Sequence, residues 1–166
     1  MRIRPEAPGD VEAIAGLVER AFAGEPHSSH TERFIVRALR EAGALSVSLV
    51  AEHEQNIVGH VAYSQVAISD GSSNWYGLGP LAVEPAFQRQ GIGSHLVRSG
   101  LVQLQAIQAA GCVVLGDPQY YARFGFQRIR DLVYPGPPPE YFLARVFAGA
   151  VPQGQVSYHE AFASEA

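Results

Sequence analysis

VEPAFQRQGIGSHLV, residues 83–97, sets a strand-like run directly against a helix-like one. Between them lies a polar loop with two glycines, Gly91 and Gly93, where a helix should already have begun. A glycine costs roughly 1 kcal/mol relative to alanine inside a helix, so the pair needs a reason. Backbone N–H groups at a helix N-terminus, reinforced by the helix dipole, form an anion site. Glycine lets a phosphate approach because it has no Cβ.

Three phosphate-loop patterns compete for this stretch. A dinucleotide fold needs G-x-G-x-x-G, and the third glycine position is Leu96. A P-loop needs Gly-Lys followed by Ser or Thr, but all twelve basic residues are arginine. The absence of lysine also excludes Schiff-base chemistry on this chain. The third pattern, Q/R-x-x-G-x-G/A after a strand ending Val-x-Pro, is met at every position by Val83-Glu84-Pro85 and Gln88 to Gly93.

Outward from the loop, residues 1–5, 44–53, 57–68, 75–83 and 112–116 read as strands. Helical spacing runs through 11–23, with Asp10 as its N-cap, and through 31–43, stopped by Gly43. A long helix follows at 91–111, its buried stripe made of Leu96, Val97, Leu101, Leu104 and Ile107 and its end at Gly111. Then come a short helix at 118–125, a strand at 126–134, a proline-rich loop, and strands at 141–148 and 155–162. This order predicts a mixed α/β single domain over residues 1–166, with a parallel crossover after the long helix.

Composition narrows the classes of function. Apolar residues make up 47% and charged residues 17%, which argues for a well-buried globule. A net charge of −4 makes nucleic acid a poor partner. No run is long enough for a membrane span, and MRIRPEAPGD lacks the apolar core of a secretory signal. With Cys112 as the single cysteine, no internal disulfide can form, and a cytoplasmic setting is expected. Between Gly111 and two valines, Cys112 reads as a small core residue. His27 and His30 have helical metal spacing without a third ligand, so no metal is expected.

The glycine loop with its flanking elements, and YYARFGF at residues 120–126, resemble the GNAT (GCN5-related) N-acetyltransferase superfamily over nearly the whole chain. The resemblance implies a central mixed sheet splayed between its fourth and fifth strands and flanked by helices. It implies acetyl-CoA as co-substrate and N-acetyl transfer to a primary amine by direct attack in a ternary complex. By resemblance, Arg89, Gln90, Gly91, Ile92, Gly93 and Ser94 hold the coenzyme pyrophosphate, with Gln88 opening the motif. Leu81, Ala82 and Val83 offer their backbone to the pantetheine arm; Gly79-Pro80 can break the ladder there, since proline has no N–H. Tyr121 matches the first position of Y-x-x-x-G-F and takes the general-acid role, with Tyr120 as a structural neighbour.

Two positions depart from the family. The strand glutamate that some relatives carry six residues before the Val-x-Pro valine is Gly77 here, and a frequent asparagine seven residues before the tyrosine is Val114. The general base is therefore open between Asp117, Glu84, His60, Glu32 and a water chain. Trp75-Tyr76 and the loop 134–142, with Glu140 and Tyr141, are candidate walls for the acceptor. A small amine is preferred over a protein acceptor, and the resemblance implies a possible homodimer. The rival readings are a coenzyme-binding module without catalysis and an enzyme using another acyl-CoA.

Overall fold

The computed structural model describes all 166 residues. Its frame is a six-stranded sheet. In chain order the elements are β1 (Arg2–Pro5), α1 (Val11–Phe22), α2 (Glu32–Glu41), β2 (Val47–His53), β3 (Asn56–Gln65), β4 (Ala67–Ile68) and β5 (Trp75–Val83). They continue with α3 (Ile92–Ala106), β6 (Gly111–Leu115), α4 (Pro118–Tyr121), β7 (Leu132–Val133), β8 (Phe142–Val146) and β9 (Gly154–Ser157). The main sheet runs β1-β2-β3-β5-β6-β8, and β4-β9-β7 form a small second sheet. Within the main sheet only β5 and β6 are parallel, joined by the crossover through α3.

Each face of the sheet buries a different apolar set. Leu96, Val97, Leu101 and Leu104 of α3 pack on Leu49, Val61, Tyr63, Leu78 and Val114. Ile14, Leu17 and Val18 of α1 and Val36 of α2 cover Val50 and Ala82 on the opposite face. Farther along that second face the small sheet closes a third cluster around Trp75, Val113 and Phe142. Tyr63 reaches through the α3 side, where its hydroxyl donates to the Val97 carbonyl at 2.8 Å. Gly100 leaves the room for its ring.

Several expected boundaries move. The long helix ends at Ala106, with Ile107 as its C-cap. Ile107 is consequently 51% exposed, and Gly111 opens β6 rather than ending the helix. Asp10 makes no cap bond to α1; its carboxylate is taken by Arg4 at 2.7 Å and by the Ala7 N–H. The stretch 57–68 divides at Val66, whose N–H donates to the Trp75 carbonyl. The strand expected over 126–134 reduces to one bridge, Gln127 to Ala144, and the two residues of β7. Its inward-facing residues, Phe126, Ile129 and Leu132, recur every third position, whereas a regular strand needs every second. The last strand keeps only Gly154–Ser157 before a 3₁₀ turn at Glu160–Ala163.

Candidate active site

β5 pairs with β3 along most of its length but with β6 only from Trp75 to Leu78. The register shifts across Gly79-Pro80, where Val61 faces Leu81 and Tyr63 faces Leu78. Beyond that shift β5 and β6, the fourth and fifth strands in spatial order, separate. The Glu84 N–H donates to the Val58 carbonyl. By the two-residue alternation of a strand, the Ala82 backbone groups therefore also face β3, while those of Leu81 and Val83 face the gap. The Gln88 side chain donates to the Val83 carbonyl at 3.0 Å, from the open side.

The glycine loop lies at the mouth of this gap. Gly91 is the N-cap of α3 and sits in the left-handed region at φ +86°, which glycine adopts without a Cβ penalty. Arg89 is also left-handed, at φ +63°. The Ile92 side chain is buried among the core residues of α3, leaving its N–H as the group it can offer a ligand. Gln88, Arg89, Gln90 and Gly91 are exposed, and Gly93 and Ser94 are half-buried. The first helical bond runs from the His95 N–H to the Gly91 carbonyl, so the N–H groups of Ile92, Gly93 and Ser94 in the first turn have no intrahelical acceptors.

Gly93 joins the loop to the tyrosine pair. A Cβ there would stand 3.0 Å from the Tyr120 hydroxyl, 3.7 Å from Val83 and 3.9 Å from Leu81. Ser94 Oγ is 3.5 Å from the same hydroxyl. Tyr120 thus touches the loop, whereas sequence reasoning gave it a structural place only. The guanidinium of Arg123, three residues on, lies 4.6 Å over the Tyr120 ring and adds positive charge beside the loop. The available signal was the helical spacing of Tyr120 and Arg123.

Tyr121 turns the other way. Its ring covers Gly116, where a Cβ would meet Cε2 at 2.5 Å, and it stands edge-on to Tyr120 and Phe126. Burial, with smaller contributions from Tyr120 and Cys112, pushes the phenol above its ordinary range. The phenol is protonated at neutral pH, as a proton donor must be, and is a weaker acid than a free tyrosine.

An acetyltransferase (GNAT) domain model matches residues 44–128. The chain belongs to the GNAT acetyltransferase family. It is 37% identical over 169 residues to the uncharacterised N-acetyltransferase YhbS of Escherichia coli, covering 98% of each chain. A GNAT family acetyltransferase from Brucella melitensis, solved in complex with acetyl-CoA, is 45% identical, with 97% of each chain covered and a TM-score of 0.87. The structure of Escherichia coli YhbS in complex with CoA is 36% identical with the same TM-score, covering 98% of this chain and 92% of the other. The expected family and splayed mixed sheet are both borne out.

Against this GNAT frame, the four side chains considered as bases are each held elsewhere. Asp117 caps α4, accepting the Gln119 N–H at 2.9 Å. Glu84 pairs with Arg20 through two bonds of 2.9 and 2.8 Å. Glu32 accepts the Ser28 hydroxyl. His60 is fully buried on the α1–α2 face, its Nε2 2.8 Å from Ser48 Oγ. Burial holds its pKa below the ordinary value, against the opposing pull of Glu6.

The remaining candidates separate by depth. Trp75 and Tyr76 are core residues, and Gly111 accommodates the Trp75 ring. Cys112 is a free, buried thiol, pushed up by desolvation and so a poor nucleophile. Of the loop 134–142, Tyr134 and Pro135 line a surface cleft of about 430 Å³ beside β9. Tyr141 is 43% exposed, and Glu140 is also exposed. The structure holds no group of three or more His, Cys, Asp or Glu side chains placed to share a metal ion. No helix is long and apolar enough to cross a membrane.

Proposed function

We propose that this protein transfers the acetyl group of acetyl-CoA to the nitrogen of a small primary amine, with both substrates bound together. The observation that carries the reading is the meeting of three features: the amide-rich mouth of α3, the free edge of β5, and the tyrosine pair. A Cβ on Gly93 would meet both the β5 side chains and Tyr120, so the three lie close enough for one extended ligand to span them. Acetyl-CoA supplies the thioester that an amine attacks.

The chain's own residues then divide the work. The backbone from Arg89 to Ser94 receives the pyrophosphate, with Gln88 at its entrance and Arg123 adding charge. Leu81 and Val83 offer backbone groups to the pantetheine arm, with Ala82 holding the strand against β3. An N–H on that edge can donate to the acetyl oxygen as negative charge develops there. Tyr121 donates its phenolic proton to the departing sulfur. With all four candidate bases engaged, water reaching the acceptor side of the gap carries away the amine proton. We read residues 1–166 as one such domain working in the cytoplasm, where the free Cys112 thiol stays reduced; the expected homodimer is checked by light scattering on the same preparation.

Calorimetry with acetyl-CoA, followed by thiol release with a panel of primary amines, tests the reading. Binding with turnover is the expected result. Binding without turnover for every amine would overturn transfer in favour of a coenzyme-binding module. No binding would overturn both.

A further inference from the structure

Three buried side-chain polar atoms have no hydrogen-bond partner: His60 Nδ1, Ser64 Oγ and Tyr158 Oη. Such atoms are uncommon and each costs stability unless something satisfies it. His60 belongs to the network with Ser48 and Glu6. The other two belong to residues that both border Gly77. Ser64 lies opposite Gly77 in the β3–β5 ladder, and opposite residues share a face with Cβ positions about 5 Å apart. A Cβ on Gly77 would stand 2.6 Å from Tyr158 Cε1 and 3.1 Å from Val66. The Tyr158 ring therefore roofs the bare backbone of Gly77 beside fully buried Ser64.

This place is one residue short of Leu78, where β5 and β6 stop pairing, and on the face away from α3. The groups that border it, Gly77, Ser64, Val66 and Tyr158, carry no formal charge. Tyr158 also lines the cleft of about 430 Å³ together with Tyr134, Phe162 and Glu160. Tyr134 stands edge-on to it at 5.1 Å, and Phe162 is 5.0 Å away. The approach is thus aromatic at Tyr134 and Phe162 and polar at His159 and Glu160, and Tyr158 is shared between the cleft and the covered Gly77, with Ser64 beside it.

Resting on the transfer reading above, we propose that Ser64 Oγ and Tyr158 Oη seat the acceptor nitrogen, and that the acceptor is a primary amine on an alkyl or aromatic stem. A seat bordered by uncharged groups selects the neutral amine over the ammonium ion, because burying an unpaired charge is far costlier than burying an amine that is hydrogen-bonded. Each hydroxyl can accept one N–H, which leaves the nitrogen lone pair free to point into the gap. Both are substrate-positioning groups, and Tyr121 remains the proton donor to sulfur.

The test uses the full chain with acetyl-CoA and three probes: phenethylamine, n-butylamine and glycinamide. For the best of these, Tyr158→Phe and Ser64→Ala should each raise the amine KM roughly tenfold. Acetyl-CoA affinity should stay unchanged and the melting temperature equal or higher, because each change deletes an unsatisfied hydroxyl. A purely structural role would lower the melting temperature and leave KM alone. Turnover that both variants leave untouched overturns the seat while transfer stands. A preference for glycinamide overturns the stem. Failure of all three amines with acetyl-CoA bound overturns this assignment together with transfer.

Discussion

The two ends of β5 are built by different means. At its C-terminal end, residues 81–94 and 120–123 assemble the loop, the free strand edge and the Tyr120 contact from two short segments linked by α3. At its N-terminal end, Gly77 is covered by Tyr158 from the far end of the chain, and Ser64 comes from the neighbouring strand. The first end repeats local backbone rules and reads as a motif. The second depends on side chains separated by many residues, and no spacing announces it. On the reading proposed above, the coenzyme site is a motif, whereas the acceptor site is assembled by packing.

The sharpest way to break this contrast is at Gly93. Gly93→Asp puts a carboxylate against the Tyr120 hydroxyl and into the anion site, and acetyl-CoA affinity should fall by roughly 100-fold or more. Calorimetry on the folded variant decides it, and unchanged affinity would detach the loop from the coenzyme. Tyr121→Phe comes next. It preserves the ring over Gly116 and removes the proton, so kcat should drop by roughly 10² to 10⁴ with acetyl-CoA affinity retained. A matching loss from Tyr120→Phe alone would move the general acid to the residue that touches the loop.

The polar network on the α1–α2 face should matter for stability instead. The Ser48 hydroxyl donates to Glu6, and Arg40 Nε lies 2.8 Å from the same carboxylate. Burial raises the pKa of Glu6, but the His60 ring 3.7 Å away, together with bonds from Arg40 and Ser48, outweighs it and holds the group well below the carboxylate range. Glu6→Ala should cost on the order of 3 kcal/mol in urea unfolding. Glu6 and His60 both have depressed folded pKa values, so both bind more protons unfolded than folded. Their contribution is complete above pH about 6.5, falls first through His60, and falls again below about 4.3 through Glu6. A urea midpoint that stays flat from pH 7 to 3 would show that the network contributes nothing.

The smallest effect belongs to the proline-rich loop. Replacing Pro137-Pro138-Pro139 with Gly-Ser-Gly should raise the acceptor KM by about twofold to threefold through a looser Tyr134 wall, and cost about 1 kcal/mol from added unfolded-state freedom. Acetyl-CoA binding should not change. An altered coenzyme affinity would instead implicate the Tyr141 carbonyl, which accepts the Gly116 N–H at 2.9 Å beneath Tyr121.

The sequence by itself determined the glycine loop and the elements from β1 to α4, apart from the break at Val66 that sets β4 in the small sheet. Hydrophobic period and glycine position are local properties, and the glycine loop obeys them residue by residue. β5 is the clearest case, matching its expected span 75–83 at both ends. Local pattern failed where neighbours decide. Residues 126–134 read as a strand, yet β8 offers them a single bridge at Ala144. Ile107 has the period of the buried stripe, but the helix cap turns it to solvent. Only tertiary structure decided that four plausible bases are engaged elsewhere, that Tyr120 reaches the loop, and that Tyr158 roofs Gly77. The physical reason is that a side chain's partner is fixed by proximity in space, and residues 77 and 158 become neighbours only when the small sheet packs onto the large one.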